Sequence, residues 1–162
     1  MREAVTGDVR EIRDVHIASI EGLAEQTYTD GQVQAWTHDR DPTEYPIESE
    51  QTDFIVAEHG EEIVEFGWIK PDADDYFQTD IDGEITAIYV HPIVARNDVG
   101  TRIYGELEAE AVREGVGSLG LWASLNAVPF YEAQGYTGVT DHTHEYHDET
   151  LTVVEMEKRS IR

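Results

Sequence analysis

The sequence predicts an α/β fold: a mixed, mostly antiparallel central sheet with helices on both faces. Three observations predict it. Residues 85–111 read as a buried strand, a tight polar turn and an amphipathic helix with Val99, Ile103, Leu107 and Ala111 on one face. Residues 119–125, LGLWASL, then form a continuous apolar run, the pattern of a strand covered on both sides. Strand, helix and strand at this spacing make a βαβ crossover in the second half of the chain, right-handed with parallel strands.

The elements follow in order. Residues 1–5 suit a short edge strand. Asp8 suits the N-cap of a helix running to about residue 24, with Val9, Ile12, Ile20 and Leu23 on its buried face and His16 among them as a core histidine. Asp30 suits the cap of a second, short helix that turns Val33 and Trp36 inward. Residues 39–46 are polar and hold two prolines, so they form a loop able to cover a site. Residues 54–58 and 63–69 are strands joined by the turn His59-Gly60-Glu61. An acidic loop over 71–80, with Tyr76 and Phe77, leads through Asp82-Gly83 into the strand at 85–90, which Pro92 ends. Glu106, Glu108, Glu110 and Glu114 turn the outer face of the long helix to water. Residues 126–134 form a short helix stopped at Gly135. Residues 136–146 and 151–156 form a last hairpin around His147-Asp148-Glu149.

Composition bounds the function. A chain of 162 residues predicts one domain over 1–162. It has no cysteine, which excludes disulfides, thiolate metal sites and a cysteine nucleophile. No apolar run approaches the roughly 18 residues of a membrane span, and the N-terminus is no signal peptide, so a cytoplasmic location and no membrane partner are expected. The net charge of −24, with only Lys70 and Lys158 as lysines, offers no basic face for nucleic acid. Acids interleaved with apolar periodicity are the pattern of a folded protein from a concentrated-salt cytoplasm, such as that of a halophilic archaeon.

Arg96, Asn97 and Asp98 lead into Val99, Gly100 and Thr101 at the start of the long helix, where unpaired N–H groups and the macrodipole favour a phosphate. Some 25 residues later, ASLNAVPFYEAQGY carries Asn126, Phe130, Tyr131, Gly135 and Tyr136. Together with IYVHPIVARNDVG, this segment resembles the GCN5-related N-acetyltransferase family, whose second element reads Asn-x-x-Ala/Pro-x-x-Phe-Tyr-x-x-x-Gly-Phe/Tyr. The stretch HIASIEGLAEQTYTDGQVQAW is similar to a bacterial and archaeal branch of it. One departure stands out. The family turn is usually Gln/Arg-x-x-Gly-x-Gly/Ala, whereas here Ala95 and Asp98 occupy the first basic or amide position and the first glycine. Asn97 and Asp98 tolerate left-handed backbone, but a carboxylate beside a diphosphate is unfavourable unless Arg96 or solvent cations offset it.

The resemblance implies the acyl-CoA N-acyltransferase fold, acetyl-CoA as co-substrate, and direct acetyl transfer to a small-molecule or peptide amine in a ternary complex. It places main-chain groups of Ile88, Tyr89 and Val90 along the pantetheine, 96–101 around the diphosphate, and Tyr131 as the acid that protonates the thiolate. A phenol of pKa about 10 gives a proton to a thiol of about 8.5 at modest cost. Asn126 would bond the pantetheine or cap the helix, and Phe130, beside Tyr131, joins the cofactor-binding residues. Glu84 stands where relatives carry a carboxylate acting on the amine, although a glutamate in so acidic a chain reads equally as a surface group; His91 is the alternative base. His142, His144 and His147, near Asp141 and Asp148, read as a polar strand by the acceptor cleft, and no metal is expected. A homodimer through the terminal strands is compatible with the family. The alternative is a non-catalytic acyl-CoA-binding or regulatory module with a degenerate diphosphate turn. A further alternative is an interaction protein that keeps the fold.

Overall fold

A computed structural model describes residues 1–24, 28–37, 45–94, 99–146 and 149–161. Ala95, Arg96, Asn97, Asp98, His147 and Asp148 lie outside these, as do 39–44 of the proline-rich loop and the side chains of Leu23, Trp36 and Val99.

Seven strands form one sheet in the order β1-β2-β3-β4-β5-β7-β6, where β1 is Arg2–Glu3, β2 Asp53–His59, β3 Glu62–Lys70, β4 Gly83–Val90, β5 Ser118–Ser124, β6 Thr137–Tyr146 and β7 Glu149–Arg159. Every neighbouring pair is antiparallel except β4 and β5, which are parallel across the crossover helix α3, Val99–Arg113. The mixed sheet and its crossover follow the sequence pattern. The β2–β3 hairpin turns at Gly60, whose φ of 67° is costly for a side chain with a Cβ.

One face of the sheet packs α3 and the short helix α4, Val128–Ala133. Ile69, Ile85, Tyr104, Leu107, Ala111, Leu121 and Met156 fill that core. The other face packs α1, Val9–Ser19, through Ile12 and Val15 against Phe54, Val56, Phe66 and Trp68. A third cluster joins Ile20, Tyr28, Leu151 and Val33 of α2, Asp30–Thr37. Full burial of a side chain such as Leu107 contributes about 1.5–3 kcal/mol.

Asp8 stands at the expected N-cap of α1 but makes no side-chain cap bond, whereas the cap of α2 is reassigned. Asp8 adopts helical dihedrals, and its carboxylate accepts from Val5 N–H at 2.8 Å and pairs with Arg2 at 2.8 Å. For α2 the cap is Thr29 rather than Asp30. The Thr29 hydroxyl accepts from Gln32 N–H at 3.1 Å, and the Gln32 side chain accepts from Thr29 N–H at 2.9 Å. Glu108 does not simply face water: its Oε2 accepts from Lys158 at 3.0 Å and from the Tyr104 hydroxyl. His16 is buried, its Nδ1 2.9 Å from the Tyr45 hydroxyl and its ring 4.1 Å from that of Tyr89.

Candidate active site

The parallel strands at the centre of the sheet barely touch. β4 and β5 pair only at Gly83 with Leu119 and Glu84 with Gly120. Beyond those residues each strand keeps its outer partner, β4 holding β3 as far as Val90 and β5 holding β7 as far as Ser124. A bulge lies at the start of the split. Trp68 pairs Ala87 and Ile69 pairs Ile85, so Thr86 is the extra residue, and an extra residue bends its strand. Among the described residues β4 and β5 therefore form no ladder pair beyond Glu84. A gap of this kind between strands can take the amides of an extended ligand.

A cavity of about 310 Å³ opens into this split, and Glu84, Ile88, Tyr89, Trp122, Tyr131 and His144 are among its lining residues. Tyr131 enters from α4. Gly135, at φ 100°, ends that helix, and Tyr136 N–H bonds back to the Tyr131 carbonyl at 3.0 Å. The Tyr131 ring packs against Phe130 and Tyr136, with centroids 5.1 and 5.7 Å away. Burial pushes its phenol above the ordinary range, which corrects the expectation of a pKa near 10. The phenol is fully protonated at neutral pH, and its proton transfer is costlier than free values suggest.

Glu84 corrects the surface reading: it is only 5% exposed. Its Oε2 accepts from the Tyr76 hydroxyl, Lys70 Nζ stands 4.0 Å from Oε1, and Oε1 itself is buried without a hydrogen-bond partner. Burial raises the Glu84 pKa, against the opposing pull of Tyr76 and Lys70. A carboxylate raised toward neutrality is a stronger base. His91, the alternative, stands past the end of β4, where its Nδ1 accepts from Ile93 N–H at 3.2 Å; it is not among the residues lining the cavity.

Beside His142 and His144, which the sequence set by the acceptor cleft, lie two residues that it did not single out, Trp122 and Glu155. Trp122 stacks on His142 at 4.5 Å and meets His144 edge-on at 4.8 Å, while His142 Nε2 is 2.8 Å from the fully buried Glu155. Burial, and then His142, lower the His144 pKa, so its ring is neutral at pH 7. The clue to Glu155 and to Glu65, both 0% exposed, was an acid set inside an apolar strand run.

The described residues fit an extended acyl-CoA. Asn126 caps no helix, and its Oδ1 is buried without a partner, as an atom reserved for a ligand amide would be. Gly100, in the first turn of α3, leaves a notch: a Cβ there would meet Phe130 Cε1 at 3.3 Å and Val90 Cγ2 at 3.6 Å. Thr101 is exposed in the same turn. Arg96, Asn97 and Asp98 belong to the undescribed segment.

Residues 24–160 match the family described as acetyltransferase (GNAT) domain. The chain belongs to the GNAT acetyltransferase family. It is similar to a GCN5-related N-acetyltransferase from Rhodopseudomonas palustris at 26% identity and a TM-score of 0.81, over 98% of this chain and 93% of that one. Its fold is also that of the PaiA N-acetyltransferase of Thermoplasma acidophilum in complex with coenzyme A (TM-score 0.71, 15% identity, 98% and 96% covered). The phosphinothricin acetyltransferase of Sinorhizobium meliloti, in complex with acetyl-CoA, is a further GNAT neighbour (TM-score 0.71, 15% identity, 98% and 86% covered). A search of curated proteins found no match. The strands β4 and β5 of the split and the helix α4 lie within the GNAT match, whereas β1 and α1 precede it. Among the described residues no helix is long and apolar enough to cross a membrane.

Proposed function

We propose that this protein moves the acetyl group of acetyl-CoA to a primary amine by direct transfer in a ternary complex, with residues 1–162 acting as one domain. The observation that carries the reading is the parting of β4 from β5 over a cavity lined by both Glu84 and Tyr131. Beyond its pairing with β5, β4 holds the pantetheine at Ile88, Tyr89 and Val90, and the Val90 N–H faces the thioester carbonyl, where oxyanion charge develops. Asn126 Oδ1 bonds a pantetheine amide, and residues 96–101 hold the diphosphate.

Glu84 takes a proton from the bound ammonium. The neutral amine then attacks the carbonyl carbon, so that a C–N bond forms and the C–S bond breaks. Tyr131 gives its proton to the departing sulfur and recovers one from the new amide nitrogen, while Glu84 returns its proton to solvent. A raised phenol suits this task only if the sulfur sits in the same dry site, where its basicity also rises. The acidic composition supports a working environment of concentrated salt in the cytoplasm, and a homodimer would form through the edge strands β1 and β6.

The test is release of coenzyme A with an amine panel at about 2 M KCl, a concentration that screens surface charge. Tyr131→Phe is expected to lower kcat by about 10²-fold while the KM for acetyl-CoA holds. Coenzyme A binding without turnover in the wild type would instead favour a binding module.

A further inference from the structure

The cavity in the split has a charge pattern that selects its acceptor. Among the described residues lining it, Glu84 is the one acid, and neither lysine nor arginine is present. Lys70 stands behind Glu84, and its Nζ is already 2.7 Å from Asp74. Among the described residues Glu84 Oε1 is buried without a hydrogen-bond donor, its nearest cation being Lys70 Nζ at 4.0 Å, while Tyr76 serves the other oxygen. An ammonium brings three donors and the opposite charge. A carboxylate entering here would be desolvated beside a like charge with no cation to meet it, which is strongly unfavourable.

The walls are aromatic. The rings of Tyr76 and Trp122 pack on each other with centroids 4.8 Å apart, and His142 stacks on Trp122 at 4.5 Å, so they offer apolar surface to the body of a ligand. Trp122 Nε1 is buried without a partner, but one neutral donor does not offset an unpaired carboxylate. The roof is tied down: Gln78 N–H bonds Glu155 at 2.9 Å, the Thr79 hydroxyl bonds Glu157 at 2.7 Å, and Asp82 N–H bonds the Ser118 hydroxyl at 2.9 Å. A fixed roof over a cavity of this size limits the acceptor to a small body.

Resting on the N-acetyltransfer reading, we propose that the acceptor is a small primary amine on an apolar or aromatic body without a carboxylate, its ammonium directed toward Glu84 and its body against the packed rings of Tyr76 and Trp122. Amino acids are excluded by charge.

The test uses phenylethylamine, phenylalanine, which adds only the carboxylate, and phenylalanine amide, which keeps the bulk without the charge. Coenzyme A release in concentrated KCl is measured for each, along with calorimetric binding to protein saturated with coenzyme A. Phenylethylamine is expected to exceed phenylalanine in kcat/KM by about 100-fold, with the amide between them, and to give the tighter binding. In Glu84→Gln the binding difference between phenylethylamine and phenylalanine should narrow by about tenfold. Equal use or equal binding of phenylethylamine and phenylalanine overturns the proposal, as does binding of neither. Selective binding of phenylethylamine with no coenzyme A release from any amine supports the acceptor class and counts instead against the transferase reading.

Discussion

Glu65 is fully buried on β3, and among the described residues neither carboxylate oxygen has a hydrogen-bond partner. Its Oε2 lies 3.7 Å from where a Cβ on Gly100 would stand, in the first turn of α3. Burial pushes its pKa from 4.5 up to about 9, and Arg102 pulls the other way. At neutral pH it is therefore uncharged and does not repel an anion held at the helix start. A raised folded pKa gives stability that is complete below the unfolded value near 4.5 and lost as pH rises toward 9. Between those limits the loss approaches about 1.4 kcal/mol per pH unit. Glu65→Gln should flatten this decline, so its urea midpoint should exceed that of wild type increasingly between pH 6 and 9; parallel profiles would deny the buried acid. The same rule applied to Glu84 places the acidic limb of kcat/KM above the ordinary carboxylate range, and a pH–rate profile checks it.

At the scale of elements, close approach of α3 to the sheet is made possible by Gly67. A Cβ there would lie 2.9 Å from both the Ala87 carbonyl oxygen and Leu107 Cδ1. Gly67→Ala must push the helix outward or bend the β3–β4 ladder, at a cost of about 1–3 kcal/mol measured by denaturant unfolding. Unchanged stability would mean that α3 sits farther from the sheet. The order of strands and helices was legible because each carries a distinct period: Val99, Ile103, Leu107 and Ala111 repeat in fours, and residues 119–125 run apolar without a break. Three things were not. The caps misled because Asp8 and Asp30 have the right chemistry but compete with Arg2 and with the Thr29–Gln32 pair, partners that become apparent only in three dimensions. The burial of Glu84 was hidden because it depends on Tyr76 arriving from the roof loop, and no periodicity encodes that contact. Tyr131 was legible through its motif, yet its raised phenol was not, since burial is a property of the neighbours.

At the scale of the molecule, the charge of −24 crowds acids against one another. A hydrogen bond to Asp53 heads the causes that raise Glu114 to about 7, a sign of carboxylates sharing a proton. Cations that screen such contacts should stabilise the fold. The midpoint of thermal unfolding is expected to climb steadily as KCl rises from about 0.1 to 3 M, where an ordinary surface would gain little beyond the first few tenths molar. A midpoint independent of KCl would remove the argument for a concentrated-salt setting, without touching the site.

The most direct measurement of the central claim is a crystal structure of the protein with acetyl-CoA in concentrated KCl. The pantetheine should lie in the gap between β4 and β5, its amides paired to main-chain groups near Ile88 and Val90 and its sulfur within hydrogen-bond reach of the Tyr131 hydroxyl. Density for the ligand outside that gap, with β4 and β5 closed upon each other, would contradict the account.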